Sequence, residues 1–236
     1  ADTGVIVTGL VNGTAHRFRV ATKDADGTGP WSEPSAPVVP LGLPAAATSL
    51  TATPGSGQVR LAYSAPIDTG GLPISDYVVE VSTDGGAGWR TVADAVSASA
   101  TTTITGLVNG TPYAFRVAAV NAIGRGPFTP ATPAAIPALP AGLPTALRVT
   151  RGNGTATLTW KAPTATGGSP IKDYALQLSS DAGRTWAPID RPASSATSAT
   201  VTGLANGTTY VFRVAAVNSV GVALFTAKSL PVVPAT

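Results

Sequence analysis

The sequence predicts an all-β chain of tandem antiparallel β-sandwiches, two of them complete and one represented by its C-terminal half. Three observations lead there. The stretch TGLVNGT starts at residue 8, returns unchanged at 105 and returns as TGLANGT at 202, at intervals of 97 residues (105 − 8 and 202 − 105). An interval that long is a whole small domain duplicated, not one turn of a solenoid. Between the copies apolar and polar residues alternate with period two, as half-buried strands require. The third observation is punctuation: 26 Gly and 21 Pro among 236 residues favour many turns over long helices.

Residues 1–40 come first. TAHRFRVATKDADGTGPW (14–31) aligns with the segments that follow the second and third motif copies, but only ADTGVIV precedes the first copy. The expectation is the last three strands of a sandwich, with Val5, Val7, Leu10, Phe18 and Val20 facing partners that this stretch does not supply. Three strands with an open apolar face and bare edges are not stable alone. The chain therefore reads as a fragment of a longer protein whose other domains are its first partners. The alternative is that self-association, or another chain, completes residues 1–40.

The units 43–138 and 140–236 each carry about seven strand segments. VRLAYSAP (59–66) matches ATLTWKAP (156–163), and PISDYVVEVSTDGGAGW (73–89) matches PIKDYALQLSSDAGRTW (170–186). TPYAFRVAAVNAIGRGPF (111–128) matches TTYVFRVAAVNSVGVALF (208–225). Tyr77, Val79 and Val81 alternate with polar or outward residues, and Tyr113, Phe115, Val117 and Ala119 alternate with Ala114, Arg116 and Ala118. Asn109-Gly110 and Asn206-Gly207 supply residues that tolerate positive φ between strands. PVVPLGLPAA (37–46) and AIPALPAGLP (135–144) are extended, semi-rigid linkers. Their Leu41, Leu43, Leu139 and Leu143 are expected to pack on neighbouring domain ends.

On these residues the chain resembles the fibronectin type III family, an immunoglobulin-like sandwich. The carriers are Leu61-x-Tyr63-x-x-Pro66 and Leu158-x-Trp160-x-x-Pro163, then Ile74-x-x-Tyr77 and Ile171-x-x-Tyr174. Leu107 with Tyr113, Val117, Ala119 and Asn121, and Leu204 with Tyr210, Val214, Ala216 and Asn218, complete the pattern. The resemblance implies a core built on Tyr63, Tyr77, Leu107, Tyr113 and Val117 in one unit and on Trp160, Tyr174, Leu204, Tyr210 and Val214 in the other. It also implies a corner tyrosine, Tyr113 or Tyr210, bonded to backbone a few residues upstream. Tyr63 stands where the family usually has Trp, and His16 stands where its corner tyrosine would be.

The composition narrows function. Charged residues are 11%, well below the roughly 25% of ordinary soluble domains. The net charge of +3 is scattered, without the basic cluster that nucleic acid needs. There is no Cys and a single His, which excludes thiol catalysis and metal sites built on those residues. His16 sits at an expected core position, so no catalytic group, metal site or cofactor site is assigned. No apolar run is long enough for a membrane span. No Met is present, so the chain begins after processing or inside something longer.

The remaining motifs have bland readings. SSDAGRTW (179–186) resembles an Asp-box, with STDGGAGW (82–89) a weaker copy; the structural reading is a hairpin with Asp181 capping backbone donors, Gly183 at positive φ and Trp186 on the sheet. KDADGTG (23–29) has calcium-loop spacing but lacks the further oxygen ligands. Asn12, Asn109, Asn153 and Asn206 open formal glycosylation acceptors. Arg125-Gly126-Pro127 lacks the Asp of an integrin-binding loop. Trp31, Phe128 and Phe225 occupy equivalent positions where an aromatic could stack on a sugar or cover the sheet. With Arg125 these are the binding candidates.

The functional expectation is a non-catalytic, secreted or cell-surface spacer or assembly module of a multi-domain repeat protein, packing into a fibre or surface layer. The Ala-rich, Arg-over-Lys composition suggests a high-GC bacterial source. The alternatives are accessory domains of a secreted polysaccharide-degrading enzyme or adhesin, with weak carbohydrate binding, and virion or tail decoration domains.

Overall fold

The computed structural model describes residues 4–236 and contains antiparallel strands and no helix among them. Strands β1 (Thr48–Gly55), β2 (Gln58–Ser64) and β5 (Thr101–Thr105) form one sheet in the order β1-β2-β5. Strands β3 (Asp76–Ser82), β4 (Arg90–Thr91), β6 (Ala114–Val120) and β7 (Arg125–Phe128) form the facing sheet, β4-β3-β6-β7. The plan repeats with β8 (Thr145–Gly152), β9 (Thr155–Lys161) and β12 (Ser198–Thr202) as β12-β9-β8, and with β10 (Asp173–Ser179), β11 (Ala187–Pro188) and β13 (Val211–Val217) as β11-β10-β13. The counterpart of β7 is reduced to a single Val217–Val222 bridge.

Registers match across the repeat. Tyr77 pairs with Ala119 and Val79 with Val117; Tyr174 pairs with Ala216 and Leu176 with Val214. Inward positions of β3 are buried in alternation, as period two requires. β6 differs, because Ala114 and Ala118 on its other face are buried as well. It is a central strand flanked by β3 and β7, with a stack of large side chains over that face.

In the C-terminal sandwich Leu158, Trp160, Tyr174, Leu176, Phe212 and Val214 form the core. Trp160 meets Tyr174 edge-on at 5.0 Å between centroids, and in the sister sandwich Tyr63 meets Tyr77 at 4.8 Å. The smaller Tyr63 brings its own polar tip, and its hydroxyl donates to Ser99 O at 3.1 Å. Burial pushes the Tyr63 phenol up to about 12. Tyr113 is buried, while Leu107 and Tyr210 are half-buried at the core margin. Tyr210 Oη accepts from Ala205 N–H five residues upstream, and His16 Nε2 lies 3.4 Å from Val11 O, also five upstream.

Residues 4–40 contain no continuous strand, only the bridges His16–Val38 and Lys23–Thr28. Their backbone nonetheless repeats the last hairpin of the sandwiches. Ser32 N–H donates to Val20 O, Ser35 to Phe18 and Val38 to His16, as Thr129 does to Val117, Thr132 to Phe115 and Ala135 to Tyr113. Val5, Ile6, Val7, Val11 and Val20 are exposed.

Contacts divide the chain into two compact units. One comprises Ala1–Thr53, Arg60–Ile104 and Tyr113–Ala135; the other comprises Pro54–Val59, Thr105–Pro112 and Ile136–Thr236. Trp160→Ala is expected to destabilise the C-terminal sandwich by about 3–5 kcal/mol, since it empties the inter-sheet space. Denaturant unfolding followed by circular dichroism measures the loss.

Candidate functional site

Two regions hold polar side chains in ordered arrangements: the outer face of the β3–β6 sheet with its counterpart, and the domain pole where a linker enters a sandwich. On the outer face the candidate aromatics are spent on arginines. Arg116 Cζ lies 4.3 Å from the Trp89 ring centroid and 4.4 Å from that of Phe128, and Arg125 Cζ lies 4.6 Å from Phe128. Arg213 is held between Trp186 at 4.2 Å and Phe225 at 4.6 Å, and Arg19 lies 4.8 Å over Trp31. Phe128 and Phe225 are half-buried; Trp31 is 54% exposed. Arg116 also donates from Nε to Glu80 at 2.7 Å, where Arg213 donates to the neutral Gln177 at 2.7 Å. The guanidinium stack is thus the common feature, and the ion pair is an addition in one sandwich.

The two Asp-box-like turns close on themselves. Ser179 Oγ donates to Asp181 Oδ1 at 2.6 Å and accepts from Gly183 N–H at 2.8 Å. Asp181 accepts from Arg184 and Thr185 N–H and from the Thr185 hydroxyl. The Ser179 and Thr185 hydrogen bonds hold its carboxyl far below the usual range. Gly183 has φ +89°. Asp84 accepts from Ser82 Oγ at 2.6 Å and from Gly88 N–H at 2.9 Å in the weaker copy. Asp24 turns the KDADGTG segment by accepting from Asp26 and Gly27 N–H. No group of three or more potential metal ligands occurs among the described residues. Asn109 and Asn206, at two of the formal acceptor sequences, accept from Gly57 and Gly154 N–H at 2.8 Å each.

The pole is built around Asn121 and Asn218, which are 3% and 0% exposed. Asn121 Nδ2 donates to Gly42 O of the linker at 2.8 Å and to Thr69 O at 2.9 Å, and Oδ1 accepts from Ile123 and Gly124 N–H. Asn218 repeats every bond with Leu139 O, Thr166 O, Val220 and Gly221. Each amide therefore ties a linker, a Thr-Gly-Gly turn and the last hairpin together. Gly42 N–H donates to Gly70 O, and Leu139 N–H to Gly167 O.

The same pole receives an Asn-Gly turn. Gly13 N–H donates to Pro40 O, and a Cβ on Gly71 would stand 2.4 Å from Gly13 N. Gly110 N–H donates to Pro137 O, and a Cβ on Gly168 would stand 2.5 Å from Gly110 N. All four glycines have positive φ. Backbone meets backbone, so a Cβ on Gly13, Gly71 or Gly168 would clash, and one on Gly110 would stand 3.2 Å from Gly168 Cα. Pro44 and Pro137 are fully buried, whereas Leu41, Leu43, Leu139 and Leu143 remain partly to half exposed. The prolines and backbone bonds anchor the linkers; the leucines touch loops without being covered.

Sequence patterns identified Asn121 and Asn218 only as alignment positions and missed the Thr-Gly-Gly turns. The recurrence of TGG at 69–71 and 166–168 was the available signal.

Comparison with known proteins matches the fibronectin type III domain to residues 45–135 and 142–232. The chain belongs to that family. It is 30% identical over 238 residues to Myomesin-2 of Homo sapiens, covering 96% of this chain and 16% of the relative. It is 29% identical over 168 residues to the fast-type myosin-binding protein C of Mus musculus, covering 71% of this chain and 15% of that protein. The chain thus spans about a sixth of the curated relatives it matches. The crystal structure of the FN1–FN3 domains of chicken CNTN1 aligns with a TM-score of 0.46 at 20% identity, covering 96% of this chain and 80% of that one.

Asn218→Ala removes the buried amide that donates to Leu139 O and Thr166 O and accepts from Val220 and Gly221 N–H. It is expected to lower stability by about 2–4 kcal/mol, measured by chemical denaturation. Asp181→Asn tests the hairpin. Because the folded carboxyl titrates below the unfolded one, its contribution is present above about pH 4 and is lost as pH falls. The melting-temperature gap between wild type and D181N should be widest near neutrality and close in acid.

Proposed function

We propose that this chain is a non-catalytic structural module, part of an extracellular multi-domain array in which sandwiches serve as spacers and assembly units. The observation that carries this reading is the pole contact repeated at a 97-residue offset, Gly13 on Gly71 and Gly110 on Gly168. It joins one repeat to the next by backbone. The stacked arginines support it too, since the polar and aromatic side chains of the outer face are engaged within their own sandwich. On this reading residues 1–40 are the C-terminal half of a further domain, and their hydrogen bonds to the pattern of the last hairpin support that assignment. Their exposed valines are an assembly surface if another chain completes them. The bacterial source suggested by composition gains no support from the animal relatives.

With so few charges, lateral packing into a fibre or layer is part of the proposal. Sedimentation velocity of the whole chain should show concentration-dependent association weakened by a charged substitution at Val20. A monomer at every concentration would remove lateral packing. The exposure of Trp31 keeps one second reading in play, weak carbohydrate binding. Retention on insoluble chitin or cellulose that is lost in Trp31→Ala would support it.

A further inference from the structure

Four Asn-Gly pairs stand in the sequence, at 12–13, 109–110, 153–154 and 206–207, and Thr follows each of them. The pair is chemically labile, because a glycine nitrogen has no side chain beside it to keep it from the carboxamide carbon of the preceding asparagine. The attack needs that nitrogen free of its hydrogen bond and the asparagine side chain free to turn back on the backbone. Three pairs deny the first condition. Gly13, Gly110 and Gly207 donate their N–H to the backbone carbonyls of Pro40, Pro137 and Pro234. Asn153-Gly154 is held differently. It makes the two-residue turn between Gly152 of β8 and Thr155 of β9, which pair directly, and Gly154 has φ +59°. Gly154 N–H donates to the side-chain Oδ1 of Asn206 at 2.8 Å, and Asn153 Oδ1 accepts from Asn206 Nδ2 at 2.8 Å. Both asparagines are exposed. At the equivalent turn of the sister sandwich Ser56 replaces Asn153, while Asn109 still holds Gly57 N–H.

We propose that Asn153 is a modification site, deamidated through attack by the Gly154 nitrogen, and that Asn206 is the guard that sets the rate. One exposed side chain swinging away frees both reacting groups at once. The other three glycines are released only when a backbone carbonyl moves off. The step balances with water alone. The Gly154 nitrogen gives its proton to hydroxide and bonds to Asn153 Cγ. The Cγ–Nδ2 bond breaks, and the amide nitrogen takes up a proton and leaves as ammonia. Water then opens the cyclic imide at either carbonyl. The product is aspartate at 153, or its isomer with the backbone routed through the side chain, and nothing is oxidised or reduced. Either product lowers the net charge of +3 by one. The isomer also lengthens the backbone of the turn, so Gly152 and Thr155 lose their register and the edge strand β8 is loosened from β9.

The test incubates the whole chain in mildly alkaline buffer made with heavy-oxygen water and follows each asparagine by peptide mass spectrometry. In the folded chain Asn153 is expected to react about tenfold faster than the other three, since only its turn opens by a side-chain movement. In denaturant the four should react at similar rates, because all share the sequence Asn-Gly-Thr. Asn206→Ala should speed Asn153 about fivefold, the weight of one net hydrogen bond on the barrier, and leave Asn12 and Asn109 unchanged. Ser56→Asn puts the same pair opposite Asn109 and should create a second fast site in the sister sandwich. Another asparagine leading in the folded chain overturns the site. With Asn206→Ala, no acceleration at Asn153, or an equal rise at Asn12 and Asn109, overturns the guard.

Discussion

One buried amide governs how these sandwiches are entered. Asn121 and Asn218 each satisfy four backbone groups belonging to three separate segments: the linker, the turn between the second and third strands, and the last hairpin. The amide that meets the linker carbonyl is itself buried, and an unmade buried bond costs more than a made one contributes. The amide supplies a donor for two such carbonyls and an acceptor for two hairpin donors at once. Aspartate could not donate and leucine could do neither. The path of the linker, the closeness of the Thr-Gly-Gly turn and the seating of the Asn-Gly turn all follow from this side chain being in place.

The two faces of the β3–β6 sheet show a different economy. The inner face is aliphatic and aromatic and holds the sandwich by burial. The outer face is covered by planar groups in alternation, Trp89, Arg116, Phe128 and Arg125 in one sandwich and Trp186, Arg213 and Phe225 in the other. Guanidinium suits this position because it stacks on both neighbours while its edge still donates. The exchange of Glu80 for Gln177 beneath that edge shows that hydrogen-bond geometry is retained where charge pairing is not, in keeping with the small worth of partly exposed ion pairs.

The fold was legible because its signals are side chains in periodic order. The 97-residue interval, the alternation of Tyr77, Val79 and Val81, and the aromatic pairs at Tyr63 and Trp160 all announce strands and a two-sheet core. The turn chemistry of Ser179, Asp181 and Gly183 was legible too, since its partners lie within a few residues. The arginine stacks were not, because Arg116 and Phe128 come from β6 and β7 and Trp89 from the turn before β4, and they meet only across the sheet. The pole contact was harder still. It joins glycines 58 residues apart in different repeats, and glycine leaves no hydrophobic or charge pattern to read. The linker leucines misled for the opposite reason: their hydrophobicity suggested anchors, but proline rings and backbone hydrogen bonds hold the linkers.

A contact made of backbone selects its partner by what the partner lacks. Charge cannot supply the discrimination in a chain with 11% charged residues. Steric exclusion can. A Cβ on Gly70 would stand 2.1 Å from Gly42 O, and one on Gly167 the same distance from Leu139 O, so any side chain on the turn displaces the linker. Positive φ at each glycine adds a second penalty for other residues. Specificity of this kind is insensitive to salt and pH, and depends on the number of residues between fixed points. Pro137, Leu139 and Asn218 are three such points. An insertion between Pro137 and Leu139 cannot satisfy the Gly110–Pro137 bond and the Asn218–Leu139 bond together without new backbone conformations. The constancy of the 97-residue interval, twice in one chain, is what a joint of that kind demands.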